Sequence, residues 1–220
     1  MSISVIIPCY WIDKSLWETT AACLELVEKQ LPDGGEIVLV DDGSPWDPAK
    51  EPMPVKDPSI LRVLRSKENR GYAAACNAGK KHSRRNTLCF LNNDAYVQDG
   101  CLSRLLAALK EKPIQIVTAV NDHPIHGLDL ATPCGSCWAT SLVCWNRLGP
   151  LDASFGFGAF EDTDYWFRAR KDGVPVVMDR EAKIATLGGE TIKRHPAHHA
   201  QHERNKAEII RRWGSEHFRL

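Results

Sequence analysis

The stretch CFLNNDAYV, residues 89–97, begins as an apolar β-strand and runs without a turn into two amides and a carboxylate, Asn92, Asn93 and Asp94. Two earlier apolar segments are followed by similar residues, Pro8-Cys9-Tyr10 after the first and Asp41-Asp42-Gly43-Ser44 after the second. In an open parallel sheet the carboxyl ends of the strands meet at one edge, and ligands bind there. We therefore expect the strand that begins at Cys89 to end at an edge of the sheet where a ligand binds, with Asn92, Asn93 and Asp94 at that site.

The order of the elements predicts an α/β fold. Short apolar segments alternate with helical patterns, which is typical of an open, mostly parallel central sheet with helices on both faces. Ser15 and Glu18 suggest a capping box at the start of the first helix. The predicted strands span residues 3–8, 36–44, 60–66 and 87–94, and a tightly packed helix is predicted over 71–81.

Composition limits the class of protein. A chain of 220 residues with 43% hydrophobic residues can bury one core, and its 28 basic and 28 acidic residues give no net charge to attract nucleic acid. No apolar run approaches the ~20 residues of a transmembrane helix, so we expect no transmembrane segment. Eight scattered cysteines fit a reducing cytoplasm. Cys134 and Cys137 form one close pair, for which buried thiols are a better interpretation than a redox or zinc pair.

The residues after the strands suggest a metal site. Carboxylates and amide oxygens are hard ligands that suit Mg²⁺ or Mn²⁺, and these ions also bridge phosphate oxygens. Asp94 is the candidate metal ligand, while Asn92 or Asn93 would donate to a phosphate or sugar oxygen. The tripeptide alone is weak support, because Asn and Asp also make ordinary turns after strands.

The segment VDDGS, residues 40–44, suggests recognition of a base. A carboxylate of Asp41 or Asp42 can accept the imide N–H of uracil or thymine, and Tyr10 offers an aromatic face for the ring. The alternative is a simple turn. No glycine-rich phosphate loop follows the first strand, which disfavours a dinucleotide-binding protein or a kinase.

Six segments taken in order resemble the signatures of family 2 glycosyltransferases. They are VIIPCY, VDDGS, NRGYAAACNAG (69–79), FLNND (90–94), LGPLDASFGFGAFEDTDYWFRARKDG (148–173) and N-x₆-RWG (205–214). They are most similar to the small rhamnosyl- and galactosyl-transferase-like members, and the resemblance covers nearly the whole chain. It implies a glycosyltransferase A-type fold, a nucleotide-diphosphate sugar donor, a divalent metal and inversion at the anomeric carbon.

The resemblance also implies roles for individual residues. Asp162 would be the general base and Glu161 an acceptor- or sugar-binding neighbour, both at a helix start whose dipole is expected to keep them ionised. Asp94 would hold the metal with Asn92, and Trp138 would contact the acceptor. The expected donor contacts are Pro8, Tyr10, Asp41, Asp42, Asn69, Arg70, Gly71, Asn77 and Asn93.

The sequence departs from the family pattern at two positions. Trp11 replaces an Asn that many relatives carry after the first-strand tyrosine. Thr186 replaces a His that often binds metal or diphosphate in a late loop, which leaves the third metal ligand open. His195 is a candidate substitute, and His198 with His202 has the i, i+4 spacing of a helical metal pair.

The expected function is therefore a metal-dependent inverting glycosyltransferase. UDP- or dTDP-sugars are the expected donors, and a glycan, a lipid-linked molecule or a protein is the acceptor. We expect a single domain over 1–220, with a nucleotide-sugar-binding lobe over 1–97 and an acceptor-binding lobe with a C-terminal helix over 98–220. A cytoplasmic location is expected, with peripheral contact to the inner face of a membrane as a variant. An inactive nucleotide-sugar-binding protein and, less favoured, a nucleotidyltransferase are the alternatives.

Overall fold

One sheet of nine strands organises the molecule. The computed structural model describes residues 2–123, 127–129, 132–186, 188–189, 193–194 and 198–215. The strands are β1 (Ile3–Cys9), β2 (Glu36–Asp41), β3 (Leu61–Arg65), β4 (Thr87–Leu91), β5 (Tyr96–Val97), β6 (Ile116–His123), β7 (Gly127–Asp129), β8 (Cys137–Ser141) and β9 (Val176–Ala185). The helices are α1 (Lys14–Gln30), α2 (Tyr72–His82), α3 (Cys101–Glu111), α4 (Leu142–Leu148), α5 (Glu161–Lys171) and α6 (His198–Trp213).

The sheet has a parallel half and a mixed half. Its strand order is β3-β2-β1-β4-β8-β6-β9-β5, with β7 paired to β6 outside this path. The first four strands are parallel, whereas β8 runs antiparallel to both β4 and β6, and β9 runs parallel to β6. The predicted α/β class is confirmed, and strands from both predicted lobes join the same sheet.

Helices cover both faces of the sheet, as predicted. Neighbouring side chains of a strand point to opposite faces, so Val5 and Ile7 pack with α1 and α3 while Ile6 packs with α2, α4 and α5. The alanine-rich helix α2 lies very close to the sheet, because a Cβ atom on Gly79 would overlap the Cγ2 atom of Ile6. The small residues of this stretch therefore have a packing role.

The start of α1 differs from the predicted capping box. Asp13 is the N-cap, and its Oδ1 atom accepts hydrogen bonds from the backbone N–H groups of Ser15 (2.9 Å) and Leu16 (3.2 Å). The capping-box prediction was wrong because this aspartate already satisfies the free N–H groups of the first turn.

Arg212 and Trp213, at the end of the last helix, α6, bind this helix to the rest of the chain. Arg212 donates to a carboxylate oxygen of Asp152 at 2.7 Å, and the indole N–H of Trp213 donates to Asp164 at 3.0 Å. Asp164 also pairs with Arg168, four residues later in α5, at 2.9 Å. Within the described ranges, no helix combines the length and apolar character that crossing a membrane would require.

Candidate active site

A cavity of about 400 Å³ opens beyond the carboxyl ends of β1, β2 and β4. Many of the predicted site residues, although far apart in the sequence, line this cavity together. Its lining consists of Pro8, Cys9, Tyr10, Asp42, Asn69, Gly71, Tyr72, Ala75, Asn92, Asn93, Asp94, Gly135, Ser136, Phe157, Gly158, Ala159, Glu161, Asp162, Gly189 and His202. The cavity therefore lies at the edge of the sheet where the strand-end rule predicts a ligand site.

Asp42 lies in the wall of this cavity and is only 5% exposed. Its Oδ2 atom accepts two backbone hydrogen bonds, from Arg70 N–H at 2.9 Å and Gly71 N–H at 2.7 Å. Burial raises the pKa of the Asp42 carboxyl, and these two hydrogen bonds oppose that rise. The carboxylate is consequently held in one orientation at the edge of the sheet.

Asp41 does not face the cavity, which corrects the expectation that it contacts the donor. Its Oδ1 atom accepts the backbone N–H of Ser44 at 2.8 Å, and its Oδ2 atom lies 3.2 Å from Arg65 Nε. Successive residues at a strand end point to opposite sides, so only one of the two aspartates can face the ligand. Asp41 shapes the turn, and Asp42 faces the cavity.

The loop before α2 reaches the cavity through Asn69 and Gly71. Asn69 Oδ1 accepts the Gly71 N–H at 3.0 Å, and Gly71 has a φ of 90° that disfavours other residues. A Cβ atom on Gly71 would overlap the carbonyl oxygen of Gly156, so two loops meet backbone to backbone here. The Arg70 side chain is exposed and is not part of the cavity wall, so only its backbone N–H acts at the site.

Asn77 and Trp138 are corrected as well. Asn77 exchanges two hydrogen bonds with the backbone of Leu151, at 2.8 and 3.1 Å, because it points to a different side of α2 than Tyr72 and Ala75. Trp138 has no exposed surface and stacks on Phe90 with ring centres 4.3 Å apart. A fully buried ring cannot contact an acceptor, so Trp138 is a core residue.

The residues after β4 line the cavity. Asn92 donates to Ser136 Oγ at 3.3 Å, while its own Oδ1 atom is buried without a hydrogen-bond partner. Asn93 donates to Thr20 Oγ1 at 2.8 Å, which fixes its side chain. Asp94 is 6% exposed and lines the cavity.

These oxygens fit a hard divalent cation. The carboxylate of Asp94 and the unpartnered Oδ1 of Asn92 are both oxygen ligands of the kind that Mg²⁺ and Mn²⁺ prefer. Among the described residues, no group of three His, Cys, Asp or Glu side chains is arranged to hold a metal.

Glu161 and Asp162 form a carboxylate pair at the start of α5. Burial, with a further contribution from the charge of Asp162, raises the pKa of Glu161 to about 8. Burial also raises the pKa of Asp162, although the N–H and hydroxyl of Thr163 donate to its Oδ1 atom. The expectation that the helix dipole keeps Glu161 ionised was wrong, because removal of this carboxyl from water outweighs the dipole.

Asp162 lies between two cavities. It lines the first cavity and also a second one of about 630 Å³, and it shares this position with Gly135 and Ser136. A Cβ atom on Gly135 would overlap Asp162 Oδ2, so this oxygen lies directly against the Gly135 backbone, which lines both cavities. A carboxylate in this place has access to a ligand on either side.

The loop before the carboxylate pair is held by α6, a contact that the sequence patterns did not predict. Ala159 and Phe160 both have positive φ angles, 73° and 72°, which are strained for residues with side chains. Asn205 Nδ2 donates to the carbonyl oxygens of Phe155 and Gly158, both at 2.8 Å. The sequence contains one signal for this contact. Asn205 is the first residue of the family-like segment N-x₆-RWG, to which the sequence alone assigns no role.

The late loop contains Thr186 where a histidine was expected. The Thr186 hydroxyl accepts the Gly188 N–H at 2.9 Å, and Asn121 bonds its backbone. His195, the predicted substitute ligand, lies outside the described residues. His202 of α6 lines the first cavity, and its ring packs 5.1 Å from that of Phe160. Trp11, the other departure, is buried beside Trp17 and absent from the cavity wall.

The model of the family described as "Glycosyl transferase family 2" matches residues 4–143. The chain belongs to this family. The match includes the strand-end residues of the first cavity, and it ends before Glu161 and Asp162.

Two family 2 relatives illustrate the extent of the similarity. Glycosyltransferase GlyG of Streptococcus pneumoniae is 30% identical over 117 residues, covering 52% of this chain and 37% of that protein. The uncharacterized glycosyltransferase EpsJ of Bacillus subtilis is 29% identical over 117 residues, covering 52% of this chain and 32% of that protein. The matched region thus spans about a third of each relative's length.

Solved structures share the fold over almost the whole chain. The mannosyltransferase PcManGT of Pyrobaculum calidifontis, in complex with GDP-Man and Mn²⁺, superposes with a TM-score of 0.71 at 18% identity, covering 99% of this chain and 70% of that one. GalNAc-T7 with UDP, GalNAc and Mn²⁺ gives 0.78 at 15% identity, covering 98% and 49%. The family 2 chain therefore has the glycosyltransferase A-type fold.

Proposed function

We propose that this chain is an inverting glycosyltransferase that moves a sugar from a nucleotide-diphosphate donor to an acceptor hydroxyl. The observation that carries the proposal is the position of Asp162 between a cavity with donor-type residues and a second cavity. Residues 1–97 would supply most of the donor site, and 98–220 the acceptor side. The nucleotide sugar GDP-Man in one fold relative, and UDP with GalNAc in another, support a nucleotide-sugar donor.

The donor base is proposed to be uracil or thymine. Asp42 is fixed by two N–H donors on one oxygen, which leaves Oδ1 to accept the imide N–H of a pyrimidine. Tyr10 lines the same cavity and offers a ring face for stacking. Guanine presents two adjacent donors, N1–H and the 2-amino group, which together need both carboxylate oxygens, and Asp42 Oδ2 is already occupied by two N–H groups. The single imide N–H of uracil or thymine needs only Oδ1, so UDP- and dTDP-sugars fit this carboxylate better.

Asp94 and Asn92 are proposed to hold a divalent metal at the donor diphosphate. When bound, such an ion acts as a Lewis acid and offsets the charge of the leaving diphosphate. Asn93 is held by Thr20 and supports the turn that presents these two residues. Mn²⁺ in both fold relatives supports a divalent ion of this type.

Asp162 is proposed to be the general base. Burial, together with the charge of Asp162, raises the pKa of Glu161 to about 8, so Glu161 holds a proton near neutral pH and Asp162 is left as the base. Thr163 holds Asp162 Oδ1, so Oδ2 is the oxygen that takes the acceptor's proton. As the acceptor oxygen bonds to the anomeric carbon, the bond from that carbon to the diphosphate oxygen breaks and the hydroxyl proton passes to Asp162.

The Asp162→Asn variant tests this role. It preserves size but cannot take the proton, so we expect turnover to fall by ~10²–10⁴-fold with donor affinity nearly unchanged. Turnover is measured as release of nucleoside diphosphate from UDP- and dTDP-sugars, with product stereochemistry determined by NMR. Asp172→Asn, at the exposed end of α5, is the matched control. Near-normal turnover of Asp162→Asn, or a product that retains the donor configuration, would contradict the assignment.

A nucleotide-sugar-binding protein without transferase activity is the second candidate. It is favoured by one observation: the Thr186 hydroxyl that replaces the expected histidine is already engaged by Gly188. This candidate predicts donor binding with no release of nucleoside diphosphate at any acceptor concentration, whereas the transferase predicts both.

A cytoplasmic location is proposed from the thiols. All eight cysteines are free, and seven of them are buried. Burial raises the pKa of Cys9, Cys23 and Cys76, so these thiols are poorly reactive small core residues. Free cysteines in this number fit a reducing compartment.

A further inference from the structure

The second cavity has the chemical character of a carbohydrate site. We infer that the acceptor is a saccharide whose terminal ring binds in this cavity, against α5 and beside Asp162. The inference rests on the proposed transfer and chooses among the three acceptor classes, which are a glycan, a lipid-linked molecule and a protein. It is carried by three aromatic rings and two opposite charges in the cavity wall, none of which the donor site uses.

The aromatic rings come from the start and middle of α5. Phe160, Trp166 and Phe167 line the cavity, and Trp166 packs edge-on against Trp138 with ring centres 5.1 Å apart. Each ring is held by a neighbour: Trp166 belongs to the buried core, while Phe167 stacks on Trp213 with ring centres 5.4 Å apart and Phe160 packs against His202. The C–H face of a sugar ring is a flat apolar surface that packs on such rings, while its hydroxyls point outward to polar groups.

The polar groups of the second cavity include one positively charged hydrogen-bond donor and one negatively charged acceptor. Arg170 presents its guanidinium 6.0 Å from the centre of the Phe167 ring, and among the described residues it forms no ion pair. Asp129 lines the same space with an opposite charge. Sugar hydroxyls both donate and accept, so they can hydrogen-bond with both groups, whereas a hydrocarbon chain would remove water from them and offer no hydrogen bond in return.

The position of Asp162 fixes which part of the saccharide reacts. Its carboxylate lines both cavities, so a hydroxyl at the inner end of a bound sugar lies next to the proposed base. Arg170 lines the same cavity, and its side chain is exposed. We therefore expect the non-reducing terminal sugar to accept the new linkage, with Arg170 bonding hydroxyls farther along the ring.

The test uses the full chain with three classes of probe. The probes are methyl glycosides of glucose, galactose, N-acetylglucosamine and rhamnose, a blocked Ser/Thr peptide, and farnesyl phosphate. Direct binding is read by saturation-transfer NMR in the absence of donor. Acceptor-dependent release of nucleoside diphosphate is measured separately, relative to the slow release into water alone. Arg170→Met is the test variant, and Lys171→Met, the next residue of α5, removes the same charge outside both cavities.

We expect one or more glycosides to bind and to accelerate release, and Arg170→Met to raise the acceptor KM by about tenfold with donor KM unchanged. Lys171→Met should behave as the parent chain does. Acceleration by the peptide or farnesyl phosphate alone, equal KM values in Arg170→Met and the parent, or no saturation transfer from any glycoside would overturn the inference. Glycoside binding that Arg170→Met weakens, without turnover of any donor, would support the saccharide site and contradict the proposed transfer.

Discussion

Gly135 lies directly against the side chain of Asp162, the proposed general base, and so affects the position of its carboxylate. A Cβ atom at this position would overlap Asp162 Oδ2, the end of a side chain that can rotate away. We expect Gly135→Ala to fold with a stability close to that of the parent, but to displace the carboxylate. Because a misplacement of about 1 Å in a catalytic group can cost ~10²-fold in rate, we expect turnover to fall on that order. Steady-state kinetics and thermal denaturation on the same sample separate the two effects.

Gly71→Ala provides the opposite control at the residue scale. Here the added Cβ would overlap the backbone carbonyl of Gly156, which cannot rotate away, and the φ of 90° is itself unfavourable for alanine. We expect this variant to lose stability as well as activity. Equal loss of melting temperature in Gly135→Ala and Gly71→Ala would refute the explanation given for Gly135.

The raised pKa of Glu161 predicts how the free energy of unfolding depends on pH. Its pKa is raised by burial from an ordinary value of 4.5 to about 8, so the folded state holds this proton over that range while the unfolded state releases it. The folded state then binds more protons, and the free energy of unfolding falls as pH rises from about 4.5 to about 8. Urea denaturation at pH 5 and pH 8 measures the difference. We expect Glu161→Gln, which does not titrate, to show a smaller decrease; an identical pH dependence in both proteins would contradict the buried neutral carboxyl.

At the scale of elements, α6 acts as a clamp on the loop before α5. Asn205 is 2% exposed and donates to three carbonyl oxygens of that loop, and Gln201 donates to one of the same oxygens at 2.8 Å. Removing a buried hydrogen-bonding group costs ~1–3 kcal/mol for each partner left unsatisfied. We expect Asn205→Ala to lower the free energy of unfolding by an amount in this range.

The clamp also predicts a kinetic effect. Without it, the positive φ angles of Ala159 and Phe160 lose their support, and the carboxylate pair that follows should lose its fixed position. We expect turnover of Asn205→Ala to fall with little change in donor KM, and protease cleavage within residues 155–160 to become faster. Lys206→Ala, the adjacent residue of α6, is the control; a loss of stability without faster cleavage of the loop would argue against the clamp.

At the scale of the whole molecule, donor and metal should stabilise the fold together. A ligand at 100 times its Kd adds about 2.7 kcal/mol to the free energy of unfolding, which for a chain of this size raises Tm by about 5–10 °C. We expect a UDP- or dTDP-sugar with Mn²⁺ to give a shift of this order and EDTA to abolish most of it. Asp94→Ala should lose the metal-dependent shift, measured relative to its own Tm without ligand. An undiminished shift in that variant would remove Asp94 from the metal site.

The sequence by itself determined the parallel half of the sheet and the edge at which the cavity opens. These follow from local apolar patterns and from the rule that parallel strands end together, and neither requires knowledge of distant contacts. Motifs shared with the family pointed to residues of the donor side in the same way. Asp42, Asp94 and Asp162 stand in such motifs, so their sequence positions were sufficient to predict that they line a common site.

Only the tertiary structure decided which of the predicted residues face the cavity and in what state. Asp41 and Asp42 are neighbours in sequence but have different contacts. Asp41 pairs with Arg65, whereas Asp42 accepts a hydrogen bond from the backbone of Gly71 and lines the cavity. The raised pKa of Glu161 and the clamp by Asn205 depend on segments that meet only after folding. Burial and long-range hydrogen bonds are properties of the assembled chain, so a sequence pattern that predicts elements one at a time does not contain them.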